Sequence, residues 1–236
     1  TQPILGPDIA PRYNLFRAAS VRASTPPGYS TGQSMAAFED LAARTLPAGY
    51  RIEWTGMAYQ EKQAGHTAIF AYVLAVVFIY LFLVAQYESW SIPVAIILVV
   101  PMAVGGAIAG LLLTGTALNL YAQIGIVLLI GMAAKNAILI VEFARHRREQ
   151  EEEDILVAAR EAARLRFRAV CMTAMSFILG ILPLVFAYGA GAFGQRSLGI
   201  TVMGGMLAAL LVGTFFIPGF YAIVQSIRER VKAALR

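Results

Sequence analysis

Lys135 and Asn136 stand side by side in "GMAAKNAILIVEFAR", residues 131–145, a stretch otherwise apolar enough for lipid. A lysine near the middle of a membrane helix costs at least ~2.5–3.5 kcal/mol on insertion scales, so something must offset it. One reading lets the side chain snorkel toward Glu142, seven residues on and on the same helical face, about 10 Å along the axis. The other points Lys135 into a helix bundle, where it pairs with carboxylates. No Asp or Glu lies at comparable depth in any apolar segment of this chain, so on that reading the carboxylates belong to helices outside it. Arg166 and Thr173, also seven residues apart, share a face where a later apolar segment begins. With Lys135 they could surround a hydrated path that relays a proton. Each also has a plainer role: Arg166 as a basic anchor at the membrane surface, Thr173 bonding back to its own helix. Asn136, next to the lysine, is placed to support the same relay.

Other chemistries find little purchase. His66 and His146 fall at opposite ends of the apolar segments, which leaves no metal site and no histidine-based catalytic pair. No glycine-rich phosphate loop is present, so neither a nucleotide-driven step nor an enzyme is expected. Of the 236 residues 58% are hydrophobic and 14% charged, too apolar for an ordinary soluble domain. The net charge of +5 comes from arginines gathered beside apolar segments, which suits a membrane surface better than nucleic acid. Cys171 is the single cysteine and lies in an apolar run, so no disulfide can form within the chain. The first sixty or so residues carry no basic-then-apolar leader, and the chain is expected to be a piece of something longer.

The elements that must position these residues divide into three regions. Residues 1–65 are of ordinary polarity: "YNLFRAASVRAS" patterns as a half-buried strand, "PPGYSTG" as a turn, and "QSMAAFEDLAARTL" as a helix capped by Ser30 or Thr31. Met35, Phe38, Leu41 and Leu46 give that helix its apolar spacing, and "YRIEWTG" patterns as a second strand. Residues 66–226 hold five uncharged or nearly uncharged runs, about 68–86, 92–113, 119–143, 169–188 and 197–224, each long enough to cross a hydrocarbon core of about 30 Å. Pro101 should kink the second run. Residues 227–236 form a basic tail. The expected fold is a polytopic α-helical membrane protein with five transmembrane helices, preceded by a partial α+β (βαβ) subdomain.

Basic residues in short loops set the orientation. Arg145, Arg147, Arg148, Arg160, Arg164, Arg166 and Arg168 follow the third run, and Arg228, Arg230, Lys232 and Arg236 follow the fifth, so both regions should be cytoplasmic. The loops "TGTAL" and "GAGAFGQR" carry only Arg196 and fall outside, as does the N-terminal segment. Tyr87 and Trp90 flank the turn "QYESW", where aromatic rings favour the interface. Residues of about 150–167 pattern as a separate interfacial helix, with Leu156, Ala159, Ala163 and Phe167 facing lipid; a solvated connector is the alternative. Gly106 and Gly110 make a GxxxG pair on the second run, and Gly199, Gly204, Gly205, Ala208 and Ala209 give the fifth a groove for another helix.

"GMAAKNAILIVEFAR" closely resembles the central helix of the resistance-nodulation-division exporters, in their hydrophobe/amphiphile multidrug efflux branch. "LPAGYRIEWTGMAYQE", "AQYESWSIPVAIILVVPMAVGGA", "RLRFRAVCMTAMSFILGILPLVFAYGAGA" and "VMGGM" match in the family's order, so the resemblance covers essentially the whole chain. It implies an inner-membrane homotrimer driven by the proton gradient, without a cofactor, each protomer having two halves of six transmembrane helices and a large periplasmic loop. This chain is similar to the last quarter: the end of the second periplasmic porter region, then helices eight to twelve. In the family the lysine of "AKN", here Lys135, contacts two aspartates on helix four, and an arginine and a threonine of helix eleven, here Arg166 and Thr173, complete the relay. The implied partners are the N-terminal remainder of the transporter with those carboxylates, a periplasmic adaptor, an outer-membrane channel and the bilayer. The Lys-Asn pair favours drugs and detergents over metal ions as substrates. A non-transporting fragment acting as a membrane scaffold is the second expectation.

Overall fold

The computed structural model describes residues 10–25, 29–150 and 154–234; the side chains of 64–68, 232 and 234 lie outside that description. Part of the turn expected at "PPGYSTG", the side chains of His66 and Lys232, the acidic run 151–153 and Arg236 therefore fall outside it too.

The N-terminal region departs from the expected strand–helix–strand unit. "YNLFRAASVRAS" forms a two-residue hairpin, β1 (Arg12–Tyr13) antiparallel to β2 (Phe16–Arg17), with Arg12 opposite Arg17 and Tyr13 opposite Phe16. Asn14 and Leu15 turn it with positive φ, as a tight two-residue hairpin turn requires. The hairpin is exposed, and residues 50–55 form no ladder, because among the described residues no strand lies beside them to complete one. The helix is as expected: α1 (Thr31–Thr45) starts at Ser30, whose hydroxyl accepts from the Gln33 N–H at 3.1 Å while Gln33 Oε1 accepts from the Ser30 N–H at 3.0 Å. Glu39 on α1 then accepts from Trp54 Nε1 at 2.7 Å and pairs with Lys62, and Thr31 bonds Glu61, so α1 is latched to the helix that follows. The Phe38 and Trp54 rings pack at a tilt of 55°, with centroids 5.7 Å apart.

Among the described residues five helical segments are long and apolar enough to cross a membrane, and this is a multi-pass membrane protein. The first is α2 (Gly56–Tyr87), a continuous helix that begins about ten residues before the expected region boundary. The second breaks where Pro101 required it, into α3 (Ile92–Ile97) and α4 (Val100–Leu113). The third is α5 (Leu120–Gln150), capped by Asn119, whose Oδ1 accepts from the Ala122 N–H at 3.0 Å. The fourth, α6 (Ile155–Val185), absorbs 155–167 of the stretch read as a separate interfacial helix into one unbroken rod. Nothing between Ile155 and Val170 breaks it, since that stretch has no Pro or Gly and five of its residues are alanine, the best helix former. The stripe read as lipid-facing is split: Leu156 and Phe167 are exposed, but Ala159 is buried with Ala158 and Ala162, because methyl side chains let α6 approach its neighbours closely. The fifth segment comprises α7 (Ala192–Ala208), a π-helical turn (Ala209–Gly213) and α8 (Thr214–Ala234).

The main core runs through the bundle, with α5 at its centre and α4, α6 and α7 packed around it, and a small second cluster of Leu111, Ala122 and Ile200 lies apart from it. The GxxxG pair of α4 and the glycine groove of α7 prove to be partners. A Cβ placed on Gly106 would lie 2.1 Å from Ala208 Cβ and 2.7 Å from the Gly204 carbonyl oxygen, so the two backbones touch only because Gly106 and Gly204 carry no side chain. At one end of the bundle Asn119 Nδ2 donates to Ser197 Oγ at 2.7 Å, both residues buried, tying α5 to α7. At the arginine-rich end Arg148 grips Glu229 through Nε–Oε1 at 3.0 Å and Nη2–Oε2 at 2.8 Å, tying α5 to α8. Gln225 Nε2 donates to the same Glu229 at 2.9 Å, and Arg228 reaches Glu149 at 3.5 Å. Tyr87 is buried under Arg145, whose guanidinium carbon is 5.6 Å from the ring centroid, so only Trp90 of the expected aromatic pair is exposed.

Candidate functional site

The central helix α5 shows two very different faces. Gly125, Leu129, Ala133, Asn136 and Ile140 recur at intervals of three and four residues, and all are buried against the bundle. Opposite them Ile124, Leu128, Gly131, Lys135, Glu142 and His146 form an exposed stripe at the same spacing. Lys135 is thus the one cation in an apolar outward face at the middle of the helix, with Glu142 two turns further on. Among the described residues no carboxylate lies within ion-pairing distance of the Lys135 ammonium, Glu142 included. A single residue step, about 100° of rotation, separates exposed Lys135 from buried Asn136.

Arg166 is held on the flank of α5, its guanidinium carbon 4.6 Å from the centroid of the Phe143 ring. A cation over an aromatic face gains roughly 0.5–1 kcal/mol at an exposed site, enough to favour this placement over free solvent. The contact also fixes the register of two antiparallel helices. Seven residues back along α6 is Thr173, and seven residues back along α5 from Phe143 is Asn136, so Thr173 lies level with the Lys135–Asn136 pair. Thr173 is half-buried, and its hydroxyl donates to the Val170 carbonyl at 3.1 Å, the back-bond that its helical setting offers.

The structure therefore brings Lys135, Asn136 and Thr173 to one level, with Arg166 two turns away toward the arginine-rich end. It joins none of the four to another by a hydrogen bond among the described residues. The residue that sequence reasoning missed is Thr214, buried in α8 next to the π-helical turn. Its signal was present as Thr214 four residues before Pro218, a hydroxyl beside the carbonyl that a proline leaves unbonded. Among the described residues no cluster of His, Cys, Asp and Glu is placed to hold a metal ion.

Comparison with known proteins gives a consistent picture. The family model described as "AcrB/AcrD/AcrF family" matches residues 1–225. The chain is 45% identical over 216 residues to the toluene efflux pump membrane transporter TtgB of Pseudomonas putida, covering 92% of this chain and 20% of that protein. It is 42% identical over 214 residues to the multidrug export protein AcrF of Escherichia coli, covering 91% of this chain and 21% of the relative. To the multidrug resistance protein MdtF of Escherichia coli it is 43% identical over 223 residues, 94% of this chain and 21% of the relative. The chain spans about a fifth of the length of these relatives.

Proposed function

This chain belongs to the AcrB/AcrD/AcrF family, and on that premise we propose that it is the C-terminal part of a proton-driven inner-membrane exporter of hydrophobic and amphiphilic compounds. The observation that carries the reading is Lys135, exposed at mid-helix on an apolar face with no carboxylate beside it among the described residues. A lysine left against lipid costs ~2.5–3.5 kcal/mol or more, so that face is completed by carboxylates from helix four in the N-terminal part of the same transporter. Protonating those carboxylates removes the partner of a buried ammonium, a change that biases a bundle with two arrangements. Arg166 and Thr173 complete the relay, and Asn136 supports it from the buried side of α5. The helix shifts that follow drive the periplasmic region through successive access states.

The arginine-rich ends of α5, α6 and α8 then lie in the cytoplasm, and residues before α2 in the periplasm, which keeps basic residues inside. The working assembly is a homotrimer with a periplasmic adaptor and an outer-membrane channel, and the energy source is the proton gradient. The test is Lys135→Ala in the full-length transporter, with drug efflux and trimer assembly measured together. Efflux should be lost while trimers persist; undiminished efflux would remove Lys135 from the mechanism.

A further inference from the structure

Two buried polar atoms lie at the level of the one π-helical turn among the described residues. Asn136 is 3% exposed and Thr214 4% exposed, and among the described residues neither the Asn136 amide nitrogen nor the Thr214 hydroxyl has a hydrogen-bond partner. Both lie inside the bundle rather than on the outward stripe of α5, so helices covering that stripe cannot reach them. Close packing fixes their relative height. Gly125 packs on Thr201 and Val202, and Gly205 on Leu129, so α5 and α7 run in the same direction side by side. Seven residues beyond Leu129 is Asn136, on the same face; seven beyond Gly205, with the extra residue that a π turn inserts, is Gly213, immediately before Thr214. Thr173 of α6 reaches the same level from the third side.

The backbone is also irregular here. Pro218 has no N–H to give the Thr214 carbonyl in the ordinary bond four residues back. The π turn itself abuts the break between α3 and α4, where a Cβ on Gly213 would lie 3.0 Å from Val99 Cγ1. Irregular backbone at membrane depth persists where it is enclosed by protein or lines a hydrated space. A donor, a hydroxyl and a carbonyl that Pro218 deprives of its ordinary N–H partner, all at one level, are the two to four polar contacts that an internal water requires. We propose that Asn136, the Thr214 hydroxyl and the Thr214 carbonyl form an internal water-binding site between α5, α6 and the π turn. It is a site behind Lys135, on the far side of its helix, and it stands whether or not Lys135 carries protons.

The chain has three asparagines, and they calibrate the test. Asn14 lies in the exposed hairpin turn, while Asn119 is buried and donates to Ser197. With asparagine side chains labelled with nitrogen-15 in the full chain in lipid nanodiscs, transfer of magnetisation from water should reach the Asn136 amide several-fold faster than that of Asn119. Thr214→Val should slow that transfer and lower the melting temperature, while Thr214→Ser should preserve both. Transfer to Asn136 as slow as to Asn119 would overturn the proposal. So would a higher melting temperature for Thr214→Val, the response of a dry hydroxyl that had no partner to lose.

Discussion

Gly106→Ala should separate α4 from α7, and the size of the effect follows from the contact. The new methyl carbon would sit 2.1 Å from Ala208 Cβ and 2.7 Å from the Gly204 carbonyl oxygen. Carbon atoms in contact lie about 3.5–4.0 Å apart, so the shortfall is about 1.5 Å. What faces the methyl is backbone and another Cβ rather than a flexible tip, so the helices themselves must move. Overpacking of this kind costs ~1–3 kcal/mol, and the severity of the clash puts Gly106 at the upper end. Alanine recovers roughly 1 kcal/mol of helix propensity, leaving a net loss of ~2 kcal/mol. In a chain of this size that is a fall of about 4–8 °C in melting temperature. Gly105→Ala is the matched control, because its Cβ would meet nothing within 4 Å and only the propensity gain remains. Thermal unfolding of both variants by circular dichroism, in one lipid composition, gives the comparison. Equal melting temperatures for the two would refute the close approach of α4 and α7.

Two further outcomes rest on polar contacts. Asn119→Ala removes both the cap of α5 and the bond to Ser197, leaving a buried hydroxyl without that donor, and should cost ~1–3 kcal/mol, read as a lower melting temperature. Hydrogen bonds from Lys62 and then Trp54 hold the Glu39 carboxyl below its ordinary range. Its folded value lies under its unfolded one, so the latch between α1 and α2 is at full strength above the ordinary carboxylate range and is lost as pH falls through the lowered value. In a Trp90→Phe background, Trp54 emission should shift toward that of exposed tryptophan over that acid range, and Glu39→Gln should abolish the pH dependence.

How far the fold could be read from the sequence depended on whether its cause was local. The five apolar runs, the interruption at Pro101 and the helix cap at Ser30 follow from composition or from residues within one turn of each other, and all appear as expected, while the second half of the capping box, Gln33, went unread. The glycines were recognisable as marks of close packing, but that Gly106 and Gly204 are each other's partners is a property of the assembled bundle. Strand pairing failed for the same reason: an alternating pattern in 13–24 cannot reveal that the chain folds back at Asn14. The lysine was legible as an anomaly, but that this chain leaves its face of α5 exposed was not read from the sequence. The inward face of Asn136 and the π turn beside Thr214 were equally hidden, since all of these depend on which side of each helix its neighbours cover.

The central claim is that Lys135 pairs with carboxylates brought by the rest of the transporter. A membrane-permeant carbodiimide joins an amine to a carboxylate only when the two are in contact, and peptide mass spectrometry of the cross-linked full-length protein identifies the pair. An amide bond between Lys135 and an aspartate outside these 236 residues is the predicted result. A bond from Lys135 to Glu142 alone would contradict it and return the lysine to a snorkelling role on its own helix.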